Sequence, residues 1–310
     1  MADQTFILCP GQGAQAVGMG KDFYQSSPVA RQTFDDANRI LGLDLASVCF
    51  EGPEEKLNTT DTAQPAIYTT SVACFRAAVA EGKIAPGAII AYAGLSLGEY
   101  TALHLAGCCS FEAGLKLVAA RGRYMQDAAL ASQSGMVAIM GADELAVNKL
   151  CADAAAGEVL VPANFNAPGQ IVVSGASAAC ARVLTLAEAA GYKAMALKVA
   201  GAFHSPLMQS AADKMRAEFD KFDFAPPTVT IYSNVSAQPH GNVASIKSLL
   251  VDQIVKSVRW AEIMQTLVLN IDARFIELAP GRTLAGLAKR INRRLPVESF
   301  ETVAKCTAGV

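Results

Sequence analysis

The pentapeptide Gly94-Leu95-Ser96-Leu97-Gly98 closes a short apolar run, Ala88 to Ala93, and opens a helical pattern. A strand that turns directly into a helix through Gly-x-Ser-x-Gly is what a nucleophile elbow looks like in sequence. Two residues without Cβ atoms let the serine take a strained backbone with its hydroxyl exposed beside the first helical N–H groups. Those groups can stabilise a developing oxyanion, which makes Ser96 the candidate covalent nucleophile.

The surrounding pattern is that of a large α/β fold. Phe6–Cys9 reads as a strand entering the Gly-rich turn Pro10-Gly11-Gln12-Gly13-Ala14-Gln15. Helical patterns follow at 28–41 and 63–81, then the elbow strand, a helix to Ala106 closed by Gly107, and a helix over 111–130. Strands that alternate with helices predict a parallel sheet covered on both faces. From 133 to 200 the rhythm changes to strand 136–140, helix 143–156, strands 159–162 and 170–174, helix 178–190 and strand 193–199. That β-α-β-β-α-β order is ferredoxin-like. Residues 133–200 are therefore expected to be a subdomain inserted into a core made of 1–132 and 201–310. The core resumes as helix 205–219, strand 229–233, helix 246–270, strand 274–278 and a helix from Arg282.

Composition limits the functions available. The 310 residues carry a formal net charge of −2, so no global field attracts nucleic acid. No stretch approaches the roughly 18 uninterrupted apolar residues of a membrane span. Met1-Ala2-Asp3-Gln4-Thr5 lacks the basic start and long apolar stretch of a secretory signal, so the cytoplasm is expected, or an organelle stroma if a targeting peptide has been removed. The eight cysteines, 9, 49, 74, 108, 109, 151, 180 and 306, form no C-x-x-C pair and read as reduced, buried thiols rather than metal ligands. The densest basic cluster is Lys289, Arg290, Arg293 and Arg294.

A serine hydroxyl needs a base, and only three histidines are available. His104 lies two turns along the helix after the elbow, which carries it away from Ser96. His240 sits in the polar turn Gln238-Pro239-His240-Gly241 and is expected at the surface. His204, in Gly201-Ala202-Phe203-His204-Ser205-Pro206, falls in a junction loop of the kind where clefts form, and is the expected base. Asp127, Asp143 and Asp153 lie between the serine and this histidine but within helices or at a helix start, so none completes a triad. A Ser-His dyad oriented by a carbonyl or amide fits better, with Gln253 and its surroundings able to supply that group.

Several separated segments then converge. Gly11-Gln12-Gly13-Ala14-Gln15, Gly94 to Tyr100, Arg121-Gly122-Arg123-Tyr124-Met125-Gln126, Gly201 to Ser205, and Gln253 upstream of Val258-Arg259-Trp260 resemble the malonyl-CoA:acyl carrier protein transacylase family. Asn164 to Gln170 and Ser233-Asn234-Val235 extend the likeness over nearly the whole chain. The resemblance implies an α/β-hydrolase-like core with a ferredoxin-like insert. It implies Ser96 as the acyl carrier, His204 as general acid/base, the backbone N–H groups of Gln12 and Leu97 as oxyanion hole, and Gln253 as the group orienting the histidine. Arg121 would grip the malonyl carboxylate, a task suited to a planar guanidinium, while Met125, Asn166 and Phe203 would line the substrate site. Phe203 beside the base resembles malonyl-selective enzymes. No metal or redox cofactor is implied. The partners would be malonyl-CoA and an acidic acyl carrier protein, met by a monomer whose basic cluster at 289–294 forms a docking rim.

One residue departs from the family: Leu95 stands before the nucleophile, where the bacterial pattern most often has histidine. Leucine cannot exchange a proton, so the dyad is unaffected but any auxiliary role of that position is lost. Rival readings are a discrete acyltransferase of a polyketide or polyunsaturated-lipid assembly line, which would share every motif, and an acyl-CoA hydrolase, which would leave Arg121 without a task. A nucleotide-binding module is suggested only by glycines 11, 13 and 18, whose spacing is not that of G-x-G-x-x-G.

Overall fold

The computed structural model describes residues 4–270 and 272–307; Met1 to Asp3, part of the N-terminal reading above, lie outside them. Its strands are β1 (Thr5–Cys9), β2 (Ile89–Gly94), β3 (Ser134–Met140), β4 (Leu160–Ala167), β5 (Gln170–Ala176), β6 (Lys193–Ala196), β7 (Thr230–Ile231), β8 (Arg274–Leu278) and β9 (Val297–Phe300). Five of them form one sheet in the order β7-β2-β1-β8-β9, parallel throughout. Alternation along β1 explains why both faces are covered. Ile7 and Cys9 join one apolar cluster with Ile276 and Leu278 of β8, while Phe6 and Leu8 join a second with Phe275.

The other four strands form an antiparallel sheet, β4-β5-β3-β6, with the helices Glu144–Ala155 and Ser177–Ala189 packed over it around an apolar cluster of their own. The α/β class, the parallel sheet and the β-α-β-β-α-β order are as the sequence predicts. Helix Phe111–Leu130 and β8 fall on the expected residues.

Other expectations need correction. The helix anticipated over 246–270 is two helices, Val243–Val255 and Trp260–Leu267. It breaks because Val258 leaves helical geometry to bond with β4: its N–H donates to the Ala163 carbonyl at 2.8 Å, and its carbonyl accepts from the Phe165 N–H at 2.9 Å. The side chain of Ser257 adds a bond to the Pro162 carbonyl. The strand expected at 159–162 runs on to Ala167 because Asn164, Phe165 and Ala167 pair with Val172, Ile171 and Gln170 of β5. The helix expected from Ser205 starts as a 3-10 turn, Pro206–Met208, before Gln209–Phe219, and the strands expected at 193–199 and 229–233 shorten to β6 and β7. Strand β9 and the short helices Leu45–Glu51 and Glu54–Leu57 were not anticipated. The bonds made by Val258 bring the antiparallel sheet against the C-terminal ends of β1 and β2, where α/β sheets place their ligand crevices.

Candidate active site

The elbow is built as a close contact between backbones. A Cβ on Gly98 would lie 2.0 Å from the Cys9 carbonyl oxygen, and one on Gly94 would lie 1.9 Å from the Gly98 carbonyl carbon. The two glycines are therefore needed for proximity, and the strain falls on the serine itself, at φ 52° and ψ −104°. Asn234 holds that conformation: its Oδ1 accepts from the Ser96 N–H at 2.6 Å while its Nδ2 donates to the Gly94 carbonyl at 2.7 Å. Leu97 is the first residue of the helix Leu97–Leu105, so its N–H has no acceptor one turn back. The loop carrying Gln12 packs against it, close enough that a Cβ on Gly11 would lie 2.3 Å from the Leu95 carbonyl oxygen.

His204 reaches the serine from the loop after β6. Its Nε2 is 2.8 Å from Ser96 Oγ, and its Nδ1 is 2.6 Å from the main-chain carbonyl of Gln253. The carbonyl is an acceptor only, which fixes Nδ1 as the protonated nitrogen and leaves Nε2 to accept from the serine. Burial, reinforced by the nearby Arg121 guanidinium, holds the His204 pKa down at about 4, so the ring is neutral at physiological pH. A hydroxyl paired with a neutral, oriented imidazole meets the requirement for base-assisted nucleophilic attack.

Arg121 is 1% exposed, an unusual position for an arginine. Nη2 donates to Ser96 Oγ at 3.1 Å and to Gln253 Oε1 at 2.9 Å, and Nη1 donates to Gln64 Oε1 at 2.7 Å. Among the described residues no carboxylate lies within ion-pair distance, and Nε is buried without a hydrogen-bond partner. Burial lowers the Arg121 pKa, against the opposing influence of Tyr100 and Glu99. A buried guanidinium with an unmet donor beside a reactive hydroxyl is built to receive an anion.

The cleft above these groups has a volume of about 420 Å³, and Gln12, Ser96, Arg121, Met125, Asn166, Phe203 and His204 all line it. Met125 and Phe203 supply apolar wall, and the Asn166 side chain has a buried Oδ1 with no hydrogen-bond partner among the described residues. Leu97 and Gln253 sit behind the cleft, fully buried. His104, as expected, is turned away: its Nδ1 is 3.0 Å from the Cys109 carbonyl and its ring packs beside Tyr68 and Phe111.

His240 is not at the surface. Its side chain is 0% exposed and its Nε2 is 2.6 Å from Oε1 of the buried Glu99. The turn is polar in sequence, but it folds over the elbow helix and finds a carboxylate 141 positions earlier in the chain. Glu99, Gln64 and Asn234 are the site residues that sequence reasoning left without a role. Glu99 and Asn234 lay inside quoted motifs, whereas Gln64 carried no local signal.

A family profile described as the acyl transferase domain matches residues 5–307. The chain is 40% identical over 308 residues to the malonyl CoA-acyl carrier protein transacylase of Escherichia coli K12, covering 99% of both chains. The structure of that transacylase from Coxiella burnetii superposes with a TM-score of 0.93 at 37% identity, covering 98% of this chain and 96% of the other. A malonyl-transacylase in complex with a type II polyketide acyl-carrier protein superposes with a TM-score of 0.92 at 35% identity, over 98% and 97%. With a profile spanning almost its full length and such relatives in sequence and structure, the chain belongs to the malonyl CoA-acyl carrier protein transacylases of the acyl transferase family.

Proposed function

We propose that the protein transfers a malonyl group from coenzyme A to the phosphopantetheine thiol of an acyl carrier protein, supplying fatty acid synthesis, through a malonyl ester on Ser96. The observation that carries this reading is the buried Arg121 guanidinium, without a carboxylate partner among the described residues and 3.1 Å from Ser96 Oγ. An acyl group attached at that oxygen would place a free carboxylate three carbons away within its reach, and acetyl has none.

In the first half-reaction His204 Nε2 takes the Ser96 proton as Oγ attacks the thioester carbonyl. The N–H groups of Gln12 and Leu97 hold the oxyanion while the C–S bond breaks, and the coenzyme A thiolate leaves with the proton returned by His204. In the second half the carrier thiol gives its proton to His204 and attacks the ester; Ser96 regains the proton as the malonyl thioester departs. Arg121 holds the malonyl carboxylate throughout, while Met125, Asn166 and Phe203 shape the acyl pocket, and the Gln253 carbonyl keeps His204 in its tautomer. The cycle needs no metal or redox cofactor.

The acceptor is an acidic acyl carrier protein, met by a monomer at the exposed Lys289, Arg290, Arg293 and Arg294. We place the reaction in the cytoplasm or an organelle stroma. In keeping with this, no helix among the described residues is long and apolar enough to cross a membrane. A polyketide pathway would use the same chemistry, and the relative in complex with a type II polyketide carrier supports that second reading.

Intact mass spectrometry tests the proposal. Incubation with malonyl-CoA should add one malonyl group, and adding holo-acyl carrier protein should move that mass to the carrier. Absence of the adduct, or release of free malonate at a rate indifferent to the carrier, would refute it.

A further inference from the structure

Behind the cleft a chain of buried polar groups runs back from Arg121 through the side chains of Gln253, Glu99 and His240, and the transfer cycle gives those three side chains no task. Arg121 Nη2 donates to Gln253 Oε1 at 2.9 Å; Gln253 Nε2 donates to Glu99 Oε2 at 2.6 Å; and Glu99 Oε1 is 2.6 Å from His240 Nε2. Gln253 Nε2 also donates to the Ser96 carbonyl at 3.0 Å, and Glu99 Oε2 accepts the Asn234 N–H at 3.1 Å. The side chains of Glu99 and His240 are 1% and 0% exposed.

An amide placed between a guanidinium, which only donates, and a carboxylate, which only accepts, can satisfy both in one orientation alone. Reversing it would set Oε1 against the carboxylate and the NH2 against Arg121. The carboxylate of Glu99, at the shorter distance, and the Ser96 carbonyl together decide which way Gln253 points, and thereby which atom Arg121 meets. Among the described residues His240 Nδ1 is buried without a partner, so the ring's polar contact is the one that anchors Glu99.

We propose that Glu99, anchored by His240, is a positioning residue that holds the Arg121 guanidinium at Ser96 through the side-chain amide of Gln253, and so sets the preference for a carboxylated acyl group. The inference rests on the malonyl reading above. Glu99 touches no substrate; it acts through two intervening groups, and its effect falls more heavily on malonyl than on an acyl group that does not need Arg121.

The test is the ratio of kcat/KM for malonyl-CoA to that for acetyl-CoA, measured with holo-acyl carrier protein on variants whose folding is confirmed by thermal melting. In Glu99→Gln the ratio should fall at least tenfold. His240→Leu, which keeps the bulk but loses the donor, should lower it in the same direction, and His240→Gln, whose amide can still donate to Glu99, should recover most of that loss. In a Gln253→Leu background, which retains the main-chain carbonyl for His204, Glu99→Gln should change the ratio no further, because the link is already cut. Equal losses for both thioesters in Glu99→Gln and His240→Leu would make the pair merely structural and overturn the proposal, as would full additivity with Gln253→Leu. If Glu99→Gln does not fold, the two His240 variants decide alone. A wild-type ratio near one would sink the malonyl reading itself, and this proposal with it, a result distinct from a high wild-type ratio that the variants leave unchanged.

Discussion

Nη2 of Arg121 donates to Oγ of Ser96 at 3.1 Å. The hydroxyl is thus bonded on one side to His204 and on the other to a cation, so a buried positive charge stands beside the nucleophile. Burial, and after it this same guanidinium, depresses the basicity of His204.

Arg121→Ala should depress malonyl transfer by two orders of magnitude or more. A buried carboxylate left without its partner costs on the order of 3–5 kcal/mol. Acetyl transfer should hold or rise, since acetyl strands no charge. Parallel kcat/KM values for the two thioesters at one carrier concentration check this, and equal losses would exclude a carboxylate clamp.

Replacing His204 with Ala should slow acylation by roughly 10²–10⁴-fold, while His104→Ala should leave acylation within a few fold of wild type. The pH profile follows from the depressed His204 pKa. Protonated His204 cannot act as base, so kcat/KM should fall only as pH drops through about 4, where an unperturbed imidazole would fail near about 6.5. Arg121→Met should move that acid limb upward, because a like charge is removed. The unfolded chain protonates this histidine before the folded one does. Folding stability from this group should therefore be complete above about 6.5 and decline as pH falls toward 4. Stopped-flow acylation and urea titrations across pH 4–7 would show both trends.

Ser96→Ala should abolish the malonyl adduct. Ser96→Gly should abolish it too, yet should be more stable than Ser96→Ala by about 1 kcal/mol, because glycine accepts the positive φ that alanine strains against. Urea midpoints of the two variants compare them directly, and equal midpoints would mean that the elbow holds no strain at this residue.

Phe203 is 7% exposed, with its ring in the cleft wall. Phe203→Ser should narrow the preference for malonyl over methylmalonyl, within the ~1–3 kcal/mol that one methyl group can contribute. An unchanged ratio of kcat/KM values would remove Phe203 from specificity.

Local patterns carried the parts of this fold that depend on local physics. Helix Phe111–Leu130 has its N-cap Ser110 and an uninterrupted periodicity, and was legible to the residue. The break at Val258 was not, because its bonds go to Ala163 and Phe165, nearly a hundred positions earlier. The same limit applies to His240: a Pro-His-Gly turn looks solvated until Glu99 is seen beneath it. At the site, Ser96 and His204 could be proposed from the elbow and by elimination among three histidines. Gln64 could not, since a glutamine on an apolar helix gives no sign that an arginine will need an acceptor.

The seam between Val258 and β4 has a bearing on how activity is lost on heating. The antiparallel sheet has its own apolar cluster on the face its helices cover, while Met136, Ala138, Ala163 and Val172 pack into the main core, so opening along the seam can come before the rest of the fold melts. Val258 lies five residues after Gln253, on the segment that carries the His204 carbonyl partner. Thermal opening at this seam loosens the histidine's support and one wall of the cleft together. Heat inactivation should then precede global unfolding, with the amide protons of Phe165 and Val258 exchanging in step with the loss of turnover.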